Sequence, residues 1–240
     1  MKKAMILAPL MLLACAVAVA EEPDELIVAT VRADNTKIPG TSLKRPADYI
    51  VQRLRVSSES KEEKTRKEEI FETLRLLVAT TKEKGIEPCN VIDNRVVIPL
   101  KVDAATLKVV RGDRVDTSEV VVCIKARVIP GVSNAVVQYS KLREFPASLK
   151  PAGRSAVDLQ GYIEVSIVNP AQYRAQVIKL YADDAKLVTS SLSADYRVVT
   201  RGIDRQLQWM REGMTDVVLF IPYEYDVVPV NATPLTRTGN

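Results

Sequence analysis

Residues 49–86, YIVQRLRVSSESKEEKTRKEEIFETLRLLVATTKEKGI, change from one hydrophobic period to another within a few positions, and that change decides the fold class. From Tyr49 to Ser57, Ile50, Leu54 and Val56 alternate with Arg53 and Arg55. A period of two belongs to a strand buried on one face. From Lys61 to Lys84 there is neither glycine nor proline, and Ile70, Leu74, Leu77 and Thr81 recur at helical spacing, with Phe71 and Val78 widening the stripe. Ser60 followed by Glu63 predicts a capping box, and Glu62–Arg66 and Glu63–Lys67 stand in the favourable i,i+4 order. Gly85 ends the run.

Working outward, Glu25–Val31 (ELIVATV) is a short β-rich run, and a Pro/Gly-marked connection joins it to the strand through Pro39-Gly40 and Pro46. Downstream, Arg95–Lys101, Leu107–Arg111 and Glu119–Val128 read as β-rich stretches. In the last of them Val120, Val122, Ile124, Ala126 and Val128 make one apolar face. Residues 130–160, punctuated by Pro130-Gly131, Pro146, Pro151 and Gly153, predict an irregular surface excursion. Tyr162–Val168 returns to strand. Asn169-Pro170 then opens a second long helix with Asn as N-cap and Pro at the first turn. Tyr173, Val177, Leu180, Leu187 or Val188, and Leu192 form its stripe.

Tyr196–Thr200 reads as a strand. Residues 203–211 fit either period, and strand is favoured because Glu212-Gly213 turns into a closing strand over Asp216–Val228. This order predicts one α+β domain over residues 21–229, a mainly antiparallel sheet with two long helices packed on one face. Residues 230–240 form a polar tail.

The N-terminus carries an address. Lys2 and Lys3 precede an uninterrupted apolar run from Ala4 to Val19, and Ala18-Val19-Ala20 supplies the small-x-small pattern of a cleavage site. Residues 1–20 are therefore expected to be a cleaved signal peptide, and the mature chain to be periplasmic. Leu12-Leu13-Ala14-Cys15 also reads as a lipobox, in which case Cys15 would be lipidated and tether the domain to a membrane. Both readings stand.

The leader holds two of the 34 basic residues and none of the 30 acidic ones, so the formal charge of +4 becomes +2 after its removal. Such a balance offers no general attraction to nucleic acid. The chain has no histidine, which excludes every His-based triad and His metal site. Outside the leader only Cys89 and Cys123 remain, either paired in an oxidising compartment or packed as free thiols.

Several of these segments together resemble the SIMPL-domain family of bacterial exported proteins. Pro46-Ala47-Asp48-Tyr49-Ile50-Val51 is similar to the family's Pro-Asp approach to a strand, and Lys84-Gly85-Ile86 to the Gly-Ile break after its long helix. Gly161-Tyr162, Ala182-Asp183-Asp184-Ala185 and the strand over Asp216–Val228 look like its second half. The resemblance implies an envelope location, self-association or binding of another envelope protein, and a link to stress tolerance. It carries no active-site residues.

Other motifs bear on chemistry. Ser58-Glu59-Ser60-Lys61 matches the Ser-x-x-Lys nucleophile motif, and Arg237-Thr238-Gly239 is similar to the Lys-Thr-Gly element that accompanies it. That element must lie on a strand beside the nucleophile, whereas here it falls in the tail, so helix capping is the simpler reading. Asp183-Asp184 and Glu62-Glu63 are adjacent pairs whose members diverge on a helix, which suits solvated surface better than a metal. Trp209, Tyr223 and Tyr225 read as core or interface residues. Glycines are scattered singly, so no phosphate loop forms and no cofactor is expected. The expectation is a non-enzymatic envelope protein. A small periplasmic hydrolase or ligand-binding protein using carboxylate, Ser or Lys groups is the alternative.

Overall fold

In the computed structural model, which describes residues 24–28 and 40–232, the strand over residues 49–58 joins two neighbours that lie far apart in sequence. The leader with Cys15, and Arg237-Thr238-Gly239, lie outside the described residues. The elements are β1 (Glu25–Val28), β2 (Leu43–Pro46), β3 (Tyr49–Ser58), α1 (Glu63–Glu83), β4 (Glu87–Ile92), β5 (Val96–Pro99), β6 (Val110–Arg111) and β7 (Ser118–Arg127). There follow α2 (Val132–Glu144), β8 (Ser155–Val168), α3 (Arg174–Ser190), β9 (Tyr196–Arg201), β10 (Gln208–Glu212), β11 (Asp216–Phe220) and β12 (Glu224–Pro229).

All strand pairings among these elements are antiparallel. The largest sheet runs β3-β8-β1-β5-β4-β7-β6, and β3 also pairs with β7. That extra pairing closes six strands into a ring, with β6 attached outside it. An even number of alternating strands can close antiparallel without a mismatch, and closure removes both edges. The registers carry one set of side chains around the whole ring: Tyr49, Val51 and Arg53 with Cys123 and Lys125, then Cys89 and Val91, Val97, Glu25 and Ile27, and finally Ser166 and Glu164. The alternate set packs under helices. This first set therefore points into the barrel.

The outward face explains the helices. Ile50, Leu54 and Val56 of β3 and Val120, Val122, Ile124 and Ala126 of β7 meet Ile70, Leu74 and Leu77 of α1 and Leu142 of α2 in one core. Val165 pairs with both Ile50 and Val28, so it lies on the same face. With Val28 and Ile167 it joins a second cluster with Val177 and Tyr181 of α3 and Val217, Leu219 and Ile221 of β11. β10, β11 and β2 form a three-stranded sheet, and β9 and β12 a two-stranded ribbon.

The architecture is thus mixed α and β with mainly antiparallel sheets, as expected, but it holds three helices where two were anticipated. The third, α2, occupies the supposed surface excursion. Its buried stripe is Ala135, Gln138 and Leu142, while Val136 and Val137 face solvent, so its apolar residues do not mark the buried side. β8 begins at Ser155 rather than Tyr162, because its first half is exposed and lacks an apolar period. The expected closing strand is two strands in different sheets, interrupted at Ile221-Pro222-Tyr223. Pro222 has no N–H to continue a ladder. Leu107–Arg111 contributes only the two-residue β6, and Leu107 is buried in a turn that begins at Asp103.

Helix starts also differ from expectation. α1 begins after Glu62, which makes no side-chain cap, because the hydroxyl of Ser60 donates instead to Glu69 (2.9 Å). Arg66 turns inward to Ser118 (2.9 Å) and the Ser60 carbonyl (2.9 Å), so the expected Glu62–Arg66 pair is replaced, whereas Glu63–Lys67 forms at 2.6 Å. Asn169 adopts a left-handed conformation before a 3-10 turn and gives no side-chain cap. The buried stripe of α3 runs through Val177 and Tyr181, leaving Leu187 mostly exposed.

Candidate functional site

The barrel has two chemically different ends. At one, Lys125 pairs with Glu25 and lies 3.6 Å from Glu87 and 4.1 Å from the Tyr49 ring centroid, while Ser166 donates to Glu25 at 2.5 Å. Lys125, Glu25 and Ser166 are buried. A buried charge is tolerated only with such partners. Deeper in the ring, Cys89 and Cys123 stand directly opposite each other on β4 and β7 with a Cα separation of 4.7 Å and are joined by a disulfide. Of the two readings open in the sequence, the structure pairs them.

The other end opens. Val51 stands opposite Glu164 and Arg53 opposite Gln160, so Gly161-Tyr162-Ile163 of β8 face Gln52 alone. This bulge uses a positive φ at Gly161, and Gln52 spans it by donating to the carbonyls of Gln160 (3.1 Å) and Arg53 (2.9 Å). Bulges at barrel rims bend the strand and re-aim side chains. Here Tyr162 is thrown out to 90% exposure. Arg53 ties the rim together, donating to Glu164 through Nε (2.8 Å) and to Asn94 in the β4–β5 turn through Nη1 (2.6 Å). Positive φ values at Asp93 and Asn94 make that turn tight.

Ile27, Arg53, Asn94, Arg95, Gln160 and Glu164, with Tyr162 and Trp209 at the sides, surround an open groove of about 720 Å³. Mouths of barrels are common binding places because the closed wall holds the lining rigid.

A second feature adjoins the groove. Among the described residues, β1 pairs with β8 over Val165–Val168, and no other described strand lies along the side of β8 away from β3 from Ser155 to Ile163. Its residues from Asp158 to Tyr162 are all exposed. A strand edge with no described neighbour is a place where a further strand can add.

The sequence-derived candidates are placed elsewhere. Ser58 is fully buried, donates to Glu69 (2.6 Å) and accepts from the Ser60 backbone N–H (3.3 Å), while Lys61 is exposed. A substrate has no access to that hydroxyl, and the serines serve to fasten the start of α1. Asp183 pairs with Lys186 (3.6 Å) and Asp184 accepts from Tyr223 (3.0 Å). Among the described residues no group of three or more acidic, Cys or His side chains is placed to hold a metal. Tyr223 stacks on Tyr181 with centroids 4.1 Å apart, which accords with a core role. Trp209 both packs on the α3 cluster and lines the groove.

Sequence reasoning missed the mouth. Its residues come from β1, β3, the β4–β5 turn, β8 and β10, and of the mouth's own residues the sequence marks only Gly161-Tyr162, as a strand entry, and Trp209, as a core or interface residue. The chain matches no family model, no curated protein and no solved structure.

Proposed function

We propose that this chain is an exported, non-enzymatic envelope protein, SIMPL-like in its order of elements, that acts by self-association through the open edge of β8. The observation that carries the reading is that no described strand pairs with that edge from Ser155 to Ile163. Its charge pattern favours a second copy. Arg154 and Asp158 lie two positions on either side of Ala156, and both are exposed. A two-fold axis through Ala156 sets Arg154 of each copy opposite Asp158 of the other. An axis through Asp158 would bring two carboxylates together instead. Opposite charges across a strand pair stabilise it and like charges do not. The bulge at Gly161 limits the pairing to the segment before it.

Light scattering after size exclusion, across a wide concentration range, tests the reading. The native protein should dimerise, D158R should weaken the dimer about tenfold or more, and R154D/D158R should restore it. A156C should cross-link spontaneously to a second copy on the axis. A strict monomer with an uncross-linked A156C would overturn self-association. Cross-linking of that cysteine to a different envelope protein would replace the second copy with that partner.

A further inference from the structure

We infer that the barrel mouth is a binding site for an amino-sugar oligomer bearing a carboxylate, with Trp209 and Tyr162 as its aromatic walls and Arg95 as the partner of the acid. This inference stands apart from self-association, which uses the neighbouring edge of β8.

The groove contains two kinds of polar group. Arg53, Glu164 and Asn94 are engaged with one another and hold the rim in shape. By contrast, the Gln160 amide, the Tyr162 hydroxyl, the Trp209 indole N–H and the Arg95 guanidinium make no hydrogen bond to any described residue. Four polar side chains with no hydrogen-bond partner among the described residues thus line one concavity of about 720 Å³, two of them aromatic. Trp209 is half-buried and fixed against the α3 cluster, whereas Tyr162 stands free at 90% exposure.

The lining selects among ligand classes. A nucleotide or polyphosphate needs several cations or a glycine-rich turn, and here Glu164 already neutralises Arg53. An acyl chain needs a continuous apolar wall, which Ile27 and the two rings do not make. An extended peptide needs an unbroken edge, and the bulge at Gly161–Ile163 interrupts it. A sugar ring has an apolar face of C–H groups and an edge of hydroxyls. It can lie against an aromatic side chain while planar amide and guanidinium groups bind its edge. Arg95, a cation at the mouth with no ion-pair partner among the described residues, adds a preference for an acidic substituent. In an exported protein, the glycan of the wall is the chemistry that matches, because its amino-sugar units carry N-acetyl groups and a lactyl carboxylate.

Trp209 is the sole tryptophan, so its emission reports the site directly. Full-length mature protein is titrated with oligomers alternating N-acetylglucosamine and N-acetylmuramic acid, and in parallel with oligomers of N-acetylglucosamine alone. The acidic oligomer should give a saturable blue shift and bind about tenfold more tightly than the neutral one at low salt. R95Q should abolish the difference between them, and Y162A should weaken both by about tenfold. Y196A, on the distant β9–β12 ribbon, should change neither. Absence of a saturable shift with either oligomer overturns the site. Equal affinity for the two, or retention of the difference in R95Q, overturns the carboxylate assignment. The dimer measurements are scored independently on D158R, which leaves every groove residue in place.

Discussion

Glu69 shows how a single carboxylate fastens separate parts of the chain. Burial opposes its ionisation, but hydrogen bonds from the Ser58 and Ser60 hydroxyls and the Arg154 backbone N–H outweigh burial and hold its pKa below the ordinary 4.5. A depressed folded-state pKa contributes stability above the unfolded value, and that contribution is lost as pH falls through the folded one. Thermal unfolding followed from about pH 6 down to about pH 3 should therefore show a decline that E69Q flattens. A decline equally steep in E69Q would remove Glu69 from the explanation. Tyr181 is the second such residue, donating to the Ile221 carbonyl (3.0 Å) and accepting from its N–H (2.6 Å) in a buried site. Y181F leaves both backbone groups without that hydroxyl, and chemical denaturation should register a loss of about 1–3 kcal/mol. Neither role was visible in the sequence. Ser60 matches a cap motif, and the helical period after Val177 admits Leu180 as readily as Tyr181.

At the scale of elements, the disulfide and the bulge divide the labour on opposite strands of the ring. The Cys89–Cys123 bond closes a separation of 34 residues between β4 and β7, and both sulfurs are fully buried. Constraint of the unfolded chain over a loop of that length is worth about 3–4 kcal/mol. C89S/C123S should fold, because the strand pairing does not depend on the bond, but should unfold at correspondingly lower urea. Reductant without denaturant should leave the native protein free of thiols reactive to a labelling dye. Both the pattern of α1 and the strands over residues 49–58 and 118–127 were legible, since each buries one regular face. α2 and the first half of β8 were not. Gln138 replaces an apolar residue in the stripe of one, and the other packs only Val157 against the core before the bulge, too little to set a period.

For the whole molecule, closure is the governing fact. β1 fills the gap between β8 and β5, and its Glu25 supplies the charge that Lys125 requires inside the ring. E25A leaves the buried ammonium with the more exposed Glu87 as its one described carboxylate, beside the Tyr49 ring, and should cost about 3–5 kcal/mol by equilibrium denaturation. E25L/K125M, which removes both charges, should recover a large part of that loss. If the double variant were no more stable than E25A, the pair would not be the cause. The same closure creates the mouth, because β3, β7 and β8 outrun the ring and β8 must bulge where it leaves.

By itself, the sequence determined which segments bury a regular face, where α1 ends, that histidine chemistry is absent, and that two cysteines were free to meet. These follow from local periodicity and composition, which need no knowledge of neighbours. Only the tertiary structure decided that β3 pairs on both sides, that the two cysteines are partners, that Ser58 is sealed from substrate, and that five segments meet around Arg53. Pairing across long separations depends on which closure buries the most surface with every charge answered. No window of residues along the chain contains that information.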